Sequence, residues 1–177
     1  MPRAEREQEM LRAAGDAFAG HGFHDTSMEA IAEAAGISKP MLYNYFGSKH
    51  GLYVAYVMRS GRLLMQSMRE AASPDGPAPE RLHAGILAFL TYVEEHGSGW
   101  AVLQREMLAQ GGSLAAEVSQ LREGIASMLN SIFDDEPFAH AFTGAGESLA
   151  GWWLAHPEHS KDQIAEVLMK IAGFRPL

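Results

Sequence analysis

The stretch Lys39-Pro-Met-Leu-Tyr-Asn-Tyr-Phe46 gathers a cation, a carboxamide and two phenols within about two helical turns. On a helix, Leu42 and Phe46 share one face four residues apart; with that face inward, Lys39, Met41, Tyr43, Asn44 and Tyr45 keep exposed area. That outward set suits the edges of base pairs. Lys39 can donate to O6 and N7 of guanine, Asn44 can pair with an adenine edge, and Pro40 or Met41 can touch a thymine methyl. The hydroxyls of Tyr43 and Tyr45 suit phosphates on the groove walls. Lys49, in the first turn of the following helix, adds its charge to free amides at a positive dipole end, and Thr26 and Ser27 offer a similar phosphate clamp one helix earlier.

Such side chains read a duplex only if their helix stands proud of its neighbours. Thr26-Ser-Met-Glu29 has the spacing of a capping box, so a helix is expected from Ser27, with Met28, Ile31, Ala32 and Ala35 inward and Gly36 as its stop. Ser38 then caps a short helix over Lys39–Phe46, where Pro40 falls in the first turn and its missing N–H costs nothing. The joint Ala35-Gly-Ile-Ser38 is too short for parallel packing, so the two helices must cross steeply, with Ala32 and Gly36 at the contact and Ile31, Ile37 and Leu42 plugging it. This is the spacing of a helix-turn-helix, whose second helix is offered to a major groove.

The remaining periodicity is helical, and no run of alternating β-branched residues points to a sheet. An all-α fold is expected. A first helix is read over Glu5 to Ala19 with Gly20-His-Gly22 as its end, and a long fourth helix from Lys49 to about Ala72. Gly51 inside its first turns costs about 1 kcal/mol against Ala. Ser73-Pro-Asp-Gly-Pro-Ala-Pro79 reads as a linker, followed by helices at Glu80–Glu95, Trp100–Ala109, Ser113–Phe133, Phe138–Ala155 and Ser160–Ala172.

Composition excludes several chemistries. The absence of cysteine in 177 residues removes disulfides, thiolate nucleophiles and Cys-type zinc sites, and suits a reducing compartment. The first residues lack the apolar segment of a signal peptide, and the apolar stretch Leu82–Val93 is far shorter than the ~20 residues of a membrane span, so a soluble cytoplasmic protein with no membrane partner is expected. The net charge of −8 is unevenly spread. Residues 1–60 hold six Lys and Arg against seven Asp and Glu, whereas residues 61–177 hold eight against fifteen. The front of the chain is thus nearly neutral and able to approach a polyanion.

The segments Phe18-Ala-x-His-Gly-Phe23, Thr26-Ser-Met-Glu-Ala-Ile-Ala-Glu-Ala-Ala-Gly-Ile-Ser38, Lys39–Phe46 and Ser48-Lys-x-x-Leu52 together resemble the tetracycline-repressor-like (TetR/AcrR) family of transcriptional regulators over about Glu7 to Tyr56. Trp152-Trp153 before His156-Pro157 and a final amphipathic helix resemble that family's C-terminal end. The resemblance implies a helix-turn-helix head over residues 1–48 joined by the fourth helix to a helical effector-binding and dimerisation body over 49–177. It implies a homodimeric repressor on double-stranded, palindromic operator DNA, released by a small apolar or amphipathic effector. Base contacts would fall to Lys39, Pro40, Met41, Asn44 and Tyr45, and phosphate contacts to Thr26, Tyr43 and Lys49. No cofactor, metal or catalytic residue is implied.

For the implied effector pocket, His83, Tyr92 and Gln104 are candidate polar groups, with Trp100 and Met107 among the aromatic and methionine side chains that otherwise form core. Ala141, Gly144, Ala145 and Ser148 form a stripe of small residues that, with Trp152 and the face Ile164, Val167, Leu168 and Ile171, suggests a self-complementary two-fold contact; packing within the subunit is the alternative. His156 and His159 flank Pro157 in a turn and read as surface residues rather than metal ligands. Gly146-Glu-Ser148-Leu-Ala150-Gly151 lacks the second glycine and the preceding strand of a nucleophile elbow. The rival to a DNA-binding regulator is a helical sensor or adaptor whose head binds a protein.

Overall fold

The computed structural model describes residues 2–72, 75–109 and 114–174. Among these residues every regular element is a helix: α1 (Arg3–Asp25), α2 (Met28–Ala34), α3 (Lys39–Phe46), α4 (Lys49–Ala71), α5 (Ala78–Glu95), α6 (Gly97–Leu108), α7 (Ala115–Phe133), α8 (Glu136–Leu154) and α9 (Lys161–Ile171). The all-α reading holds. Ser73 and Pro74 of the expected linker, and Gln110 to Ser113 before α7, lie outside the described residues.

The boundaries differ from expectation where local side chains decide them. Gly22 takes φ 76° and breaks the regular turn of α1, as its type suggests, yet helical geometry resumes and carries α1 to Asp25. Ser27, not Thr26, caps α2, its hydroxyl accepting from the amide of Ala30 at 3.0 Å. Thr26 instead turns inward, its hydroxyl shared between the carbonyl oxygens of Gly22 at 2.6 Å and Ala17 at 3.1 Å. Those carbonyls lie where the helix ladder is interrupted and need a donor from elsewhere. Ser38 and Ser48 cap α3 and α4, and Ser160 with Gln163 closes a reciprocal capping box on α9.

Helix α4 is the spine of the molecule, touching α1, α3, α5, α6 and α7. Its buried face, with Leu52, Tyr56, Leu64 and Met68, repeats at helical spacing from the head into the body. Helices α7 and α8 form a hairpin whose turn is set by Asp134 at φ 51°, and α9 closes the body against α5 and α8. The core runs without a break from Met10 and Phe18 to Leu168 and Met169.

Candidate nucleic-acid interface and internal cavity

The head is a steep crossing of α2 and α3 over a shared plug. Ile31 and Leu42 are fully buried, Ala32 lies beneath them, and Gly36 makes the turn at φ 64°. Truncating Leu42 to Ala would cost about 2–5 kcal/mol and loosen the presentation of α3. At the other end, Gly47 at φ 73° ends α3, and a β-carbon on Gly51 would run into the carbonyl oxygen of Phe46. The helix-weakening glycine thus lets α4 start against the end of α3.

This anchoring leaves Lys39, Pro40, Tyr43 and Asn44 on one exposed stripe of α3, with Met41 and Tyr45 half-buried at its margins. Lys39 is not idle: its ammonium pairs with Glu29 of α2 at 3.2 Å, and both partners remain exposed to solvent. The Tyr45 ring lies 5.1 Å beneath the guanidinium of Arg3, which ties the first turn of α1 to α3. Lys49, half-buried, donates to the carbonyl oxygen of His24 at 2.9 Å and stands 4.9 Å over the Phe23 ring. Ser27 is exposed at the start of α2, while the side chain of Thr26 is buried. The structure therefore brings eight of the nine expected DNA-facing residues to one end of the molecule with some open surface, and withdraws Thr26.

In the body, helices α4 to α9 line a narrow cavity of about 50 Å³ with almost wholly apolar walls. Trp100 and Met107 line it, as expected. The three expected polar groups do not. Tyr92 faces the other way and donates to the carbonyl oxygen of Ser60 at 3.1 Å; burial raises its phenol to about 12. Gln104 packs against the backbone of Gly151, where a β-carbon would collide with its amide, and His83 is half-buried off the lining face. Arg81, Thr143 and Glu147 are among the residues that line the cavity, contributing almost no polar surface to its wall. Glu147 is gripped by Arg122 through two bonds of 2.9 Å, and burial, the dominant influence, raises its carboxyl above the usual value. Arg81 sits one residue before the apolar stretch of α5, and only the position of that stretch against α4 and α7 reveals that the whole Arg81-Leu82-Gly85-Ile86-Phe89 face is cavity wall.

On α8 and α9, Trp152, Leu154, Val167 and Ile171 are each 40–47% exposed. Ala141 and Ser148 are exposed, and Gly144 and Ala145 half-buried. Ile164 and Leu168, expected on the same face, are buried at 2% and 1% in the subunit's own core, because α9 turns that edge toward α5. His156 stacks on Trp152 at 4.0 Å.

Residues 10–56 match the bacterial regulatory proteins of the tetR family, and residues 78–172 match the tetracyclin repressor-like C-terminal domain. The chain is 32% identical over 134 residues to the HTH-type transcriptional activator FasR of Mycolicibacterium smegmatis, an alignment spanning 76% of this chain and 60% of that protein. A TetR-like transcriptional regulator from Rhodococcus sp. RHA1 superposes with a TM-score of 0.87 at 37% identity, covering 98% of this chain and 96% of that one. The fold is shared at 17% identity and a TM-score of 0.78 with FadR from Bacillus subtilis, solved in complex with stearoyl-CoA, over 94% and 95% of the two chains. With the N-terminal match lying on the α2–α3 crossing and the C-terminal match on the body that holds the cavity, the chain belongs to the tetR family of transcriptional regulators.

Proposed function

We propose that this protein is a ligand-responsive repressor that binds a palindromic operator as a homodimer, with residues 1–48 as the reading head and 49–177 as the sensing and pairing body. The observation that carries this is the exposed stripe Lys39, Pro40, Tyr43 and Asn44 on a helix held from behind by fully buried Leu42. Lys39, Pro40, Met41, Asn44 and Tyr45 read base edges, and Ser27, Tyr43 and Lys49 take phosphates. Thr26 is left out, since its side chain is buried and its hydroxyl is engaged.

Two-fold pairing through Ala141, Gly144, Ala145, Ser148, Trp152, Val167 and Ile171 would cover the exposed apolar side chains of α8 and α9 and set two α3 helices ~34 Å apart, one turn of the duplex. The cavity is the sensing element. Its volume of about 50 Å³ is well below the ~300–1,000 Å³ typical of ligand sites, so an apolar occupant must displace the walls. Met68, Met107 and Met128 on those walls are flexible enough to yield. Because α4 contributes Met68 to the cavity and begins against α3, wall movement changes the relation between the two heads. A coupling of ~1–3 kcal/mol suffices for a several-fold to ~150-fold change in occupancy. The regulator works in the cytoplasm, by binding alone and without catalysis. The name of the M. smegmatis relative favours a second reading, activation, in which the same protein recruits rather than blocks transcription.

The test is footprinting on DNA flanking the protein's own gene, with and without added dodecanoate or dodecanol, over a range of salt. A protected palindrome with half-sites one turn apart, weakened by ligand, is expected. Loss of sequence preference as salt rises would instead favour the adaptor whose head binds a protein. A reporter fused to the same DNA separates repression from activation.

A further inference from the structure

Three groups able to carry positive charge gather around one half-buried ring in the head. The Phe23 ring, near the end of α1, has the imidazole of His24 at 5.4 Å and that of His50 at 6.3 Å, both close to perpendicular to it, and the Lys49 ammonium over its face at 4.9 Å. Tyr53, one turn further along α4 and buried, meets the same ring at 5.0 Å. Two imidazoles from different helices are thus held against one aromatic ring, and both histidines remain exposed to solvent.

The neighbours of this cluster are the helix starts assigned above to phosphates. Lys49 donates to the carbonyl oxygen of His24 at 2.9 Å, Ser27 follows His24 by three residues, and His50 follows Lys49 directly. The other charged and titratable groups nearby are Asp25, next to His24, and His21, whose ring nitrogen lies 3.3 Å from the carbonyl oxygen of Ala17. From α6 come Glu106, which accepts from the Tyr53 hydroxyl, and Arg105, which donates to the carbonyl oxygen of Phe18. Among the described residues no carboxylate pairs with His24 or His50, whereas His140 and His159 stand against Glu123 and Glu158. A proton gained by either ring therefore adds outward charge instead of completing an internal pair.

That charge matters because residues 1–60 hold six Lys and Arg against seven Asp and Glu. Imidazole is the side chain that ordinarily becomes a cation between pH 8 and 5. Two such protons turn the slight excess of acid in the head into a slight excess of base, and place the gain beside Lys49. We infer that His24 and His50 are proton-dependent phosphate contacts, so that affinity for duplex DNA rises as pH falls from 8 to 6. This rests on the DNA-binding reading and adds to it two contact residues and an input, acidity, that acts without an effector. Because phosphate carries no sequence information, the gain extends to every duplex alike.

Fluorescence anisotropy titration of the intact protein tests this at pH 6 and pH 8 over a range of salt, on a duplex from the flank of its own gene and on a scrambled duplex. The wild type is expected to bind both several-fold tighter at pH 6, with the slope of log affinity against log salt steeper by about one to two. Combining His24→Gln with His50→Gln should abolish both changes and leave binding at pH 8 as in the wild type. His21→Gln should leave the pH dependence in place. Equal slopes and affinities for the wild type at the two pH values overturn the inference, and this comparison needs no variant. A pH dependence that survives the double substitution, in protein with unchanged helical circular dichroism, also overturns it, as does its loss in His21→Gln. Sequence-selective binding without a gain at pH 6 overturns the histidine contacts alone and leaves the regulator reading standing. No binding to either duplex at either pH overturns both.

Discussion

The guanidinium of Arg105 donates to the carbonyl oxygen of Phe18 at 3.0 Å, so the helix that brings Trp100 and Met107 to the cavity is fastened to the helix that supports the reading head. A second nitrogen of the same group reaches the carbonyl oxygen of Ala19 at 3.5 Å. Both acceptors lie near the interruption at Gly22, where α1 has carbonyl groups to spare. Arg105→Met is expected to lower stability by no more than about 1 kcal/mol, since the group is exposed, yet to reduce the ratio of operator affinities without and with dodecanoate. An unchanged ratio would place the coupling elsewhere, with α4 the next suspect.

The pair between Lys39 and Glu29 sets a carboxylate beside a cation that we assign to base reading. Exposed pairs contribute little to folding, about 0–1 kcal/mol, so Glu29→Gln should barely move the unfolding midpoint. It should tighten operator binding several-fold by removing one negative charge near phosphate. Changing Lys39 to Met should alter the selected consensus. If binding-site selection returns the same consensus, Lys39 leaves the readout set.

Lys49 sits at a helix start with its ammonium against His24 and Phe23. Lys49→Ala is expected to weaken binding to all sequences alike and to lower the slope of log affinity against log salt by about one. Gel-shift titrations on specific and scrambled duplexes measure both, and a slope equal to that of the wild type would count against a phosphate contact.

The exposed apolar side chains of α8 and α9 predict the oligomeric state. Replacing Val167 and Ile171, each substantially exposed, by Glu should leave the helical circular dichroism intact and yield monomers in sedimentation equilibrium. Operator binding should fall with dimerisation, since a single head reads one half-site. A double variant that still sediments as a dimer refutes this face.

Burial raises the phenol of Tyr92 from 10.0 to about 12, and those of Tyr53 and Tyr56 also rise, by burial first and, for Tyr53, through its bond to Glu106. A folded-state pKa above the unfolded one means the unfolded chain loses its proton first. The associated stability is complete below pH 10 and is lost as pH climbs toward 12. Urea unfolding followed from pH 8 to 12 should therefore show a steep alkaline loss, with phenolate absorbance appearing together with unfolding. Tyr92→Phe should make that loss shallower, at about 1 kcal/mol of stability near neutral pH for the bond to Ser60.

Much of the head is legible in the sequence alone, because its determinants are local. Ser38, Pro40 and Gly47 set the ends of α3 within a few residues of chain, and the spacing of Ile31, Ala32, Gly36 and Leu42 dictates a crossing that tolerates few alternatives. The same locality failed at Thr26 and Ser27. Adjacent hydroxyls compete for one cap, and the outcome depends on carbonyl groups of α1 that the interruption at Gly22 leaves in need of a donor, nine residues away in the case of Ala17.

The body divides along the same line. Its amphipathic periods determined that there would be helices, roughly where they lie, and that no sheet would form. Which face of each helix meets which neighbour was decided only by the assembled bundle. Tyr92 of α5 and Trp100 of α6 are both apolar-face aromatics expected at the pocket, yet one turns to Ser60 and the other to the cavity. Ile164 and Leu168 share a helix with Val167 and Ile171, yet the first pair is core and the second is surface. A periodic stripe states how much of a helix is apolar, and every neighbour competes for it with the same non-directional force. The partition between packing, cavity wall and open face is settled by the angles at which several helices can close together, a property of the bundle rather than of any one of them.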